Sequence, residues 1–146
     1  MFMHAGLAHL FFNMLGLLSF GPDCENQLGE RKFLVFYLLM GLGASLLQLF
    51  FTTGAMIGAS GAIYGLLLAF GMLFPNSLLY LYFAIPIRAK YAVLLFGLLE
   101  LYAGAQNSGS DNVAHFAHLG GMVFGYFLII YWKKKSFNHY HQNDNW

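Results

Sequence analysis

The chain has 146 residues, of which 59% are hydrophobic and only 9% charged, with a formal net charge of +1. Soluble domains carry roughly a quarter of charged residues, and a chain of this length cannot hide so much apolar surface from water. That excludes an ordinary soluble domain, and no nucleic-acid partner is implied; the solvent of this protein is lipid.

Five membrane segments are expected in chain order, making an all-α, polytopic transmembrane helix bundle. The first runs from about Ala5 to Gly21 and is expected to stop at Pro22. The second covers about Phe33 to Phe51, and the third about Gly58 to Phe74, ended by Pro75 and Asn76. The fourth starts near Lys90 and fades by Gly104, and the fifth runs from about Val113 to Trp132. From Phe33 to Ile87 there are 55 consecutive residues without Lys, Arg, Asp or Glu. A span needs about 20 apolar residues, so this stretch crosses a bilayer at least twice. Leu78 to Ile87 is too short to span and contains Pro86, and reads as an interfacial or re-entrant segment. Residues 1–135 thus form one membrane domain, and the polar tail 136–146 is expected to be disordered.

All seven cations fall in three clusters: Arg31 with Lys32, Arg88 with Lys90, and Lys133 to Lys135. Cationic loops stay cytoplasmic, so the clusters share one side and the C-terminus is expected in the cytoplasm. Met1, the turn at 52–57 and the loop at 105–112 then face outward. Tyr131 and Trp132 stand where interfacial aromatic anchors are found. His4 and His9 follow Met1 without a basic n-region, so no signal peptide is expected. The lone Cys24 allows neither an intramolecular disulfide nor a cysteine metal cage.

Polar residues inside spans are costly and suggest function. The candidates are His4, His9, Asn13, Ser60, Glu100, His115 and His118. Depth sorts them. At about 1.5 Å per residue, Ser60 lies roughly 22 Å above Pro75, His118 roughly 22 Å above Lys133, and His9 roughly 20 Å above Pro22. In a hydrocarbon core about 30 Å thick, all three share one level near the outer face. A serine and histidines at one level are the parts of a nucleophilic site. Gly61 and Gly65 on the third segment, and Gly121 and Gly125 on the fifth, form small-xxx-small stripes that let backbones approach. Docking these stripes brings Ser60 toward His118.

Other readings of each residue stand beside these. A membrane serine often bonds its own backbone, and a buried histidine is often structural. Ser60, however, sits at a helix start with unpaired N–H groups, a setting suited to a nucleophile. His9 and Asn13 lie one turn apart and are both able to donate to an oxyanion, although Asn13 would serve equally as an interhelical tie. His4 and His115 read as structural. Glu100 and Asp111 are the weaker candidates for a carboxylate that orients the histidine. The spacing of the histidines offers no metal motif, so no metal is expected.

The motifs His4-x4-His9-x3-Asn13, Gly58-Ala59-Ser60-Gly61 and Ala117-His118-x2-Gly121-x3-Gly125, in this order along nearly the whole chain, resemble the rhomboid family of intramembrane serine proteases. The resemblance implies that Ser60 is the nucleophile and His118 its base, a dyad without a third acid. It also implies an oxyanion hole made of His9, Asn13 and the Ser60 N–H, with Tyr64 packed on the His118 ring. No cofactor is implied; the partners would be transmembrane segments of substrate proteins, cut near the extracytoplasmic face. The family core has six spans, and the one that precedes the His-x4-His-x3-Asn helix has no counterpart here, so a first helix from a longer chain is an expected partner. A catalytically inactive scaffold that binds membrane helices is the alternative. A transporter or channel subunit fits less well, since only Glu100 would mark an ion pathway.

The topology is directly testable. With Cys24 replaced by Ala, cysteines at Gly54 and Ser108 should react with an impermeant thiol reagent from outside the cell, whereas one at Lys134 should not. Outside labelling at position 134 would invert the arrangement.

Overall fold

The computed structural model describes residues 3–51, 57–81, 84–106 and 114–143, with side chains as far as 134. Five helices form the bundle: α1 (Leu7–Leu28), α2 (Glu30–Phe51), α3 (Ser60–Leu73), α4 (Ala89–Gln106) and α5 (His115–Asn143). Of these, α2 and the 115–134 part of α5 are long and apolar enough to cross a bilayer on length and composition alone.

The helix α3 is the axis of the bundle. It is only 14 residues long, about 21 Å at 1.5 Å per residue, too short for a hydrocarbon core about 30 Å thick. It compensates by being enclosed: Gly61, Ala62, Ile63, Gly65, Leu66, Leu67, Ala69, Phe70 and Gly71 are all buried. A helix that is apolar on every side and small on two of them suits this position. Its start, at Ser60, therefore lies inside the bundle rather than at its surface.

The helix α2 shows one face to this core. Phe36, Met40, Gly43, Ala44 and Gln48 are buried, at the three- and four-residue spacing of a helical stripe. Leu34, Leu38, Leu42, Leu46, Leu49 and Phe50 on the other side are 40–83% exposed. The helix α4 repeats the pattern, with Leu94, Leu98, Leu101 and Tyr102 exposed. Apolar surface on this scale does not face water; it is the lipid-facing belt.

Gly120 and Gly121 weld α5 to both neighbours. A Cβ on Gly121 would overlap the carbonyl oxygen of Gly61, and one on Gly120 would lie 3.0 Å from the Ala44 Cα. Gly121 thus faces α3 and Gly120 faces α2. Further along, Cβ atoms on Gly65 and Gly125 would stand 2.9 Å from the Gly121 carbonyl oxygen and 3.3 Å from that of Gly65. The two small-residue stripes dock along their length.

One element differs from the expectations above, and two add detail to them. The helix α1 does not stop at Pro22 but continues to Leu28. Pro22 forfeits one backbone hydrogen bond, a change of about 3 kcal/mol in a helix interior. The turn beyond it buries Cys24 completely among Phe36, Met40 and Leu66, which offsets the loss. Gly29, at φ 82°, then turns the chain into α2. Second, the segment expected to be interfacial or re-entrant holds paired strands: β1 (Leu78–Leu81) and β2 (Ile85–Arg88) form an antiparallel hairpin, with Leu78 opposite Arg88 and Leu81 opposite Ile85. A hairpin satisfies its backbone in pairs, and both its strands are edges, where Pro86 is tolerated. Third, the backbone of α5 is continuous from His115 to Asn143, past the Lys133–Lys135 cluster. No Gly or Pro follows Gly125, and extending an existing helix is far easier than nucleating one.

The cation clusters gather at one end. The Lys133 ammonium donates to the Met72 carbonyl at 3.0 Å, the Lys90 N–H bonds the Pro75 carbonyl, and Phe36 of α2 packs on Trp132. Ser60 belongs to the opposite half. The turn at 52–56 and most of the 105–112 loop, Asp111 included, lie outside the described residues.

The backbone contact at Gly121 yields a prediction. Gly121→Ala forces a methyl group into a carbonyl that cannot rotate away, so it should destabilise the protein by about 3 kcal/mol, the upper end for overpacking. Gly6→Ala meets nothing within 4 Å and should be near neutral. Thermal unfolding of both variants in detergent decides; equal midpoints would show that the α3–α5 contact relaxes.

Candidate active site

The site forms where the first turns of α3 and α5 meet. The chain enters α3 through Gly58, at φ 104°, a backbone conformation that favours glycine. The first backbone bond of this helix runs from the Ile63 N–H to the Ala59 carbonyl. The N–H groups of Ser60, Gly61 and Ala62 thus precede the ladder, as they do at any helix start.

On α5 the first turn is held by a residue from another helix. The Gln48 side chain of α2 accepts the Ala117 N–H at 2.9 Å, one residue before His118. Gln48 is buried, and the sequence reading passed over it. Its signal was plain enough: one amide in the otherwise apolar run of α2.

The His118 Nε2 lies 2.8 Å from the Ser60 Oγ. Tyr64, one turn after Ser60, stacks on the His118 ring with centroids 4.2 Å apart and planes 7° from parallel. His118 is buried and Ser60 is half-buried. An imidazole in this position can take the hydroxyl proton and so activate the oxygen as a nucleophile.

Behind His118 stands Glu100 of α4. The Tyr64 hydroxyl donates to its Oε1. Its Oε2 lies 2.6 Å from the His115 Nδ1 and 3.0 Å from the His118 Nδ1. The second contact has the distance of an ion pair but not the alignment of a hydrogen bond. Gly97 and Gly104 flank Glu100 on the same face, and Cβ atoms there would stand 3.3 Å from Met122 and His115 respectively. These glycines let α4 lie close enough for the short Glu side chain to reach both histidines.

Glu100, His115 and His118 are also, among the described residues, a group whose potential metal-ligand atoms lie within 4.8 Å of one another. The 2.6 Å separation of Glu100 and His115 is shorter than the roughly 3.3 Å between two ligands of a tetrahedral zinc with bonds near 2.0 Å. The spacing is that of groups sharing protons.

The helix α1 closes the site from the side. The His9 ring lies against Gly58, where a Cβ would stand 2.6 Å from its Nε2. Asn13 is 5% exposed; its Nδ2 donates to the His9 carbonyl at 2.8 Å, and its buried Oδ1 has no partner among the described residues. His4, five residues before His9, meets its ring edge-on at 5.2 Å. A cavity of about 40 Å³ opens beside Ser60, lined by Gly41, Ala44, Ser45, Ile57, Gly58, Gly61, Ala62, Ala114 and Ala117. That exceeds the roughly 10–15 Å³ needed for one water.

The chain is similar in sequence to known proteins. The family model of the Rhomboid domain matches residues 1–135. The RHOMBOID-like protein 1 of Arabidopsis thaliana is 32% identical over 98% of the chain and 36% of its own length. The rhomboid protease GluP of Bacillus subtilis is 33% identical over 86% of the chain and 23% of its own length. The rhomboid protease AarA of Providencia stuartii is 30% identical over 89% of the chain and 53% of its own length. The chain spans little more than half of each of these relatives at most. With its family model covering nearly the entire chain, this protein belongs to the rhomboid family, whose members are integral membrane proteins and serine proteases.

Proposed function

We propose that the chain is an intramembrane serine endopeptidase that cleaves transmembrane segments of other proteins through an acyl-enzyme on Ser60. The observation that carries this reading is the 2.8 Å contact between the Ser60 Oγ and the His118 Nε2, made where α3 begins inside the bundle.

In this reading His118 takes the Ser60 proton as the oxygen attacks the scissile carbonyl. The oxyanion forms at the start of α3, within reach of the free Ser60 N–H. His9 and Asn13 are its side-chain donors: the His9 ring already borders Gly58, and Asn13 keeps a second Nδ2 hydrogen after bonding the His9 carbonyl. His118 returns the proton to the leaving amine, and water admitted by the cavity beside Ser60 hydrolyses the ester. The imidazole ring is held against rotation by its stack on Tyr64.

The site sits in the half of the bundle opposite the cations, so the positive-inside rule puts it near the extracytoplasmic face with the C-terminus in the cytoplasm. A substrate helix is easily unwound there, where its backbone can be rehydrated. An inactive scaffold would not require a serine and an imidazole aligned at hydrogen-bond distance.

Labelling with a serine-directed fluorophosphonate probe tests the nucleophile. Ser60→Ala and His118→Ala should each abolish labelling and cleavage while the protein stays folded. The double variant should be no worse than either single, because residues acting as one unit are non-additive. Clear turnover by Ser60→Ala would sink the mechanism. Asn13→Ala should lower turnover by about 10²–10³-fold, as loss of one oxyanion donor does, with substrate binding little changed. A lower unfolding temperature at near-normal turnover would instead make Asn13 a tie between helices.

A further inference from the structure

Glu100 is the one acidic side chain among the buried polar residues, and the two-residue mechanism makes no use of it. For the His118 Nε2 to accept the Ser60 proton, the ring's other hydrogen must be on Nδ1. That Nδ1 is fully enclosed and makes no aligned hydrogen bond. The acceptor beside it is the Glu100 Oε2, at 3.0 Å. Catalytic hydrogen bonds are often misaligned before substrate binds and tighten in the complex.

We propose that Glu100 is a positioning residue for this reaction: its carboxylate accepts the Nδ1–H of His118, fixes the tautomer and offsets the positive charge that the ring acquires. The proposal rests on the serine-protease reading above. The proton of the Ser60 hydroxyl moves to the His118 Nε2 as the Oγ–carbon bond forms, and from there to the departing nitrogen; Glu100 receives none. Its charge acts through the ring.

Two neighbours prepare Glu100 for this task. An ionised carboxylate is costly in a membrane interior unless donors satisfy it. Here the Tyr64 hydroxyl holds Oε1, and the His115 Nδ1 holds Oε2 at 2.6 Å. Tyr64 therefore has two functions: its ring carries the imidazole and its hydroxyl carries the carboxylate behind it. The groups facing Glu100 come from both packed helices, Tyr64 from α3 and His115 and His118 from α5. Those facing His118 are Ser60, Tyr64, His115 and Glu100. A carboxylate that served only to tie α4 to α5 would need His115 alone.

The test is the rate of fluorophosphonate labelling at Ser60, followed against pH, for the parent chain, Glu100→Gln, Glu100→Asp and Tyr64→Phe. Glu100→Gln should label about 10³-fold more slowly or worse, the scale of losing a triad orienter. The residual rate should rise with pH at a lower midpoint than in the parent, because the imidazolium has lost its counter-charge. Glu100→Asp should recover part of the rate, and Tyr64→Phe, which keeps the stack, should lose roughly ten- to a hundredfold, the scale of a hydrogen bond to a charged group. Glu100→Gln labelling within about threefold of the parent would overturn the proposal and leave the two-residue mechanism standing. So would a slow rate with an unmoved midpoint, which marks a purely structural tie. If Glu100→Gln does not fold, Tyr64→Phe decides, and an unchanged rate and midpoint refute the role. A parent chain that fails to label at Ser60 removes the protease reading and this inference together.

Discussion

The contact between Gly121 and Gly61 is the constraint on which the rest of the molecule depends. Lipid supplies no hydrophobic drive for two helices to associate, since its tails are as apolar as leucine. What remains is dispersion, which weakens steeply with a gap of half an ångström, and hydrogen bonding. Removing side chains from the facing surfaces of α3 and α5 lets carbonyl and Cα groups touch directly. The distance between the helix axes is thereby set by backbone. The Ser60–His118 distance follows from it, because both residues lie within a turn of the contact.

Enclosure makes this arrangement possible in a bilayer. The short α3 could not cross lipid by itself, and its open N–H groups would be unacceptable next to acyl chains. Surrounded by α1, α2, α4 and α5, it begins where polar groups are available instead: Gln48 secures α5, Asn13 of α1 is buried nearby, and the cavity beside Ser60 leaves room for water. The long outer helices carry the leucines and phenylalanines that lipid sees. The helix that starts at Ser60 is thus spared the task of spanning, while α5 both crosses and carries His118.

The parts of the fold legible in the sequence were those that obey a helical period. The glycine stripes of α3 and α5 stand three or four residues apart on each helix, so their docking could be read directly. Depth counts along straight helices brought Ser60 and His118 to one level, and in the structure the Ser60 Oγ and the His118 Nε2 lie 2.8 Å apart. Where a local rule competes with tertiary burial, reading the chain alone misled. Pro22 is a helix breaker by its own chemistry, yet the burial of Cys24 carries α1 past it. The hairpin at 78–88 alternates in exposure along β1, but an apolar run with a proline does not announce its pairing partner. Glu100 was hard to weigh for a different reason. Its partners come from α3 and α5, across 36 and 15 residues of chain. The stripe Gly97-x2-Glu100-x3-Gly104 was the signal: two glycines bracketing an acid on one face mark where α4 must come close to something polar.

That stripe also bears on how a carboxylate is maintained in the membrane at all. A glutamate facing lipid would be driven toward its neutral form, and neutral it could not balance an imidazolium. The glycines bring α4 inward so that Glu100 is 8% exposed, and the donors Tyr64 and His115 meet it there. Each is anchored by an element already fixed for another purpose: Tyr64 by the buried α3, His115 by the first turn of α5 beside the Gln48 cap. The polar cluster is therefore rigid because the apolar packing around it is rigid. In a low-dielectric interior, fixed dipoles and charges act more strongly on a developing charge than mobile ones, since they need no reorganisation when it appears. A bilayer removes competing water from all sides but the cavity at Ser60. The same solvent that makes a buried Glu100 costly therefore makes its field at His118 effective.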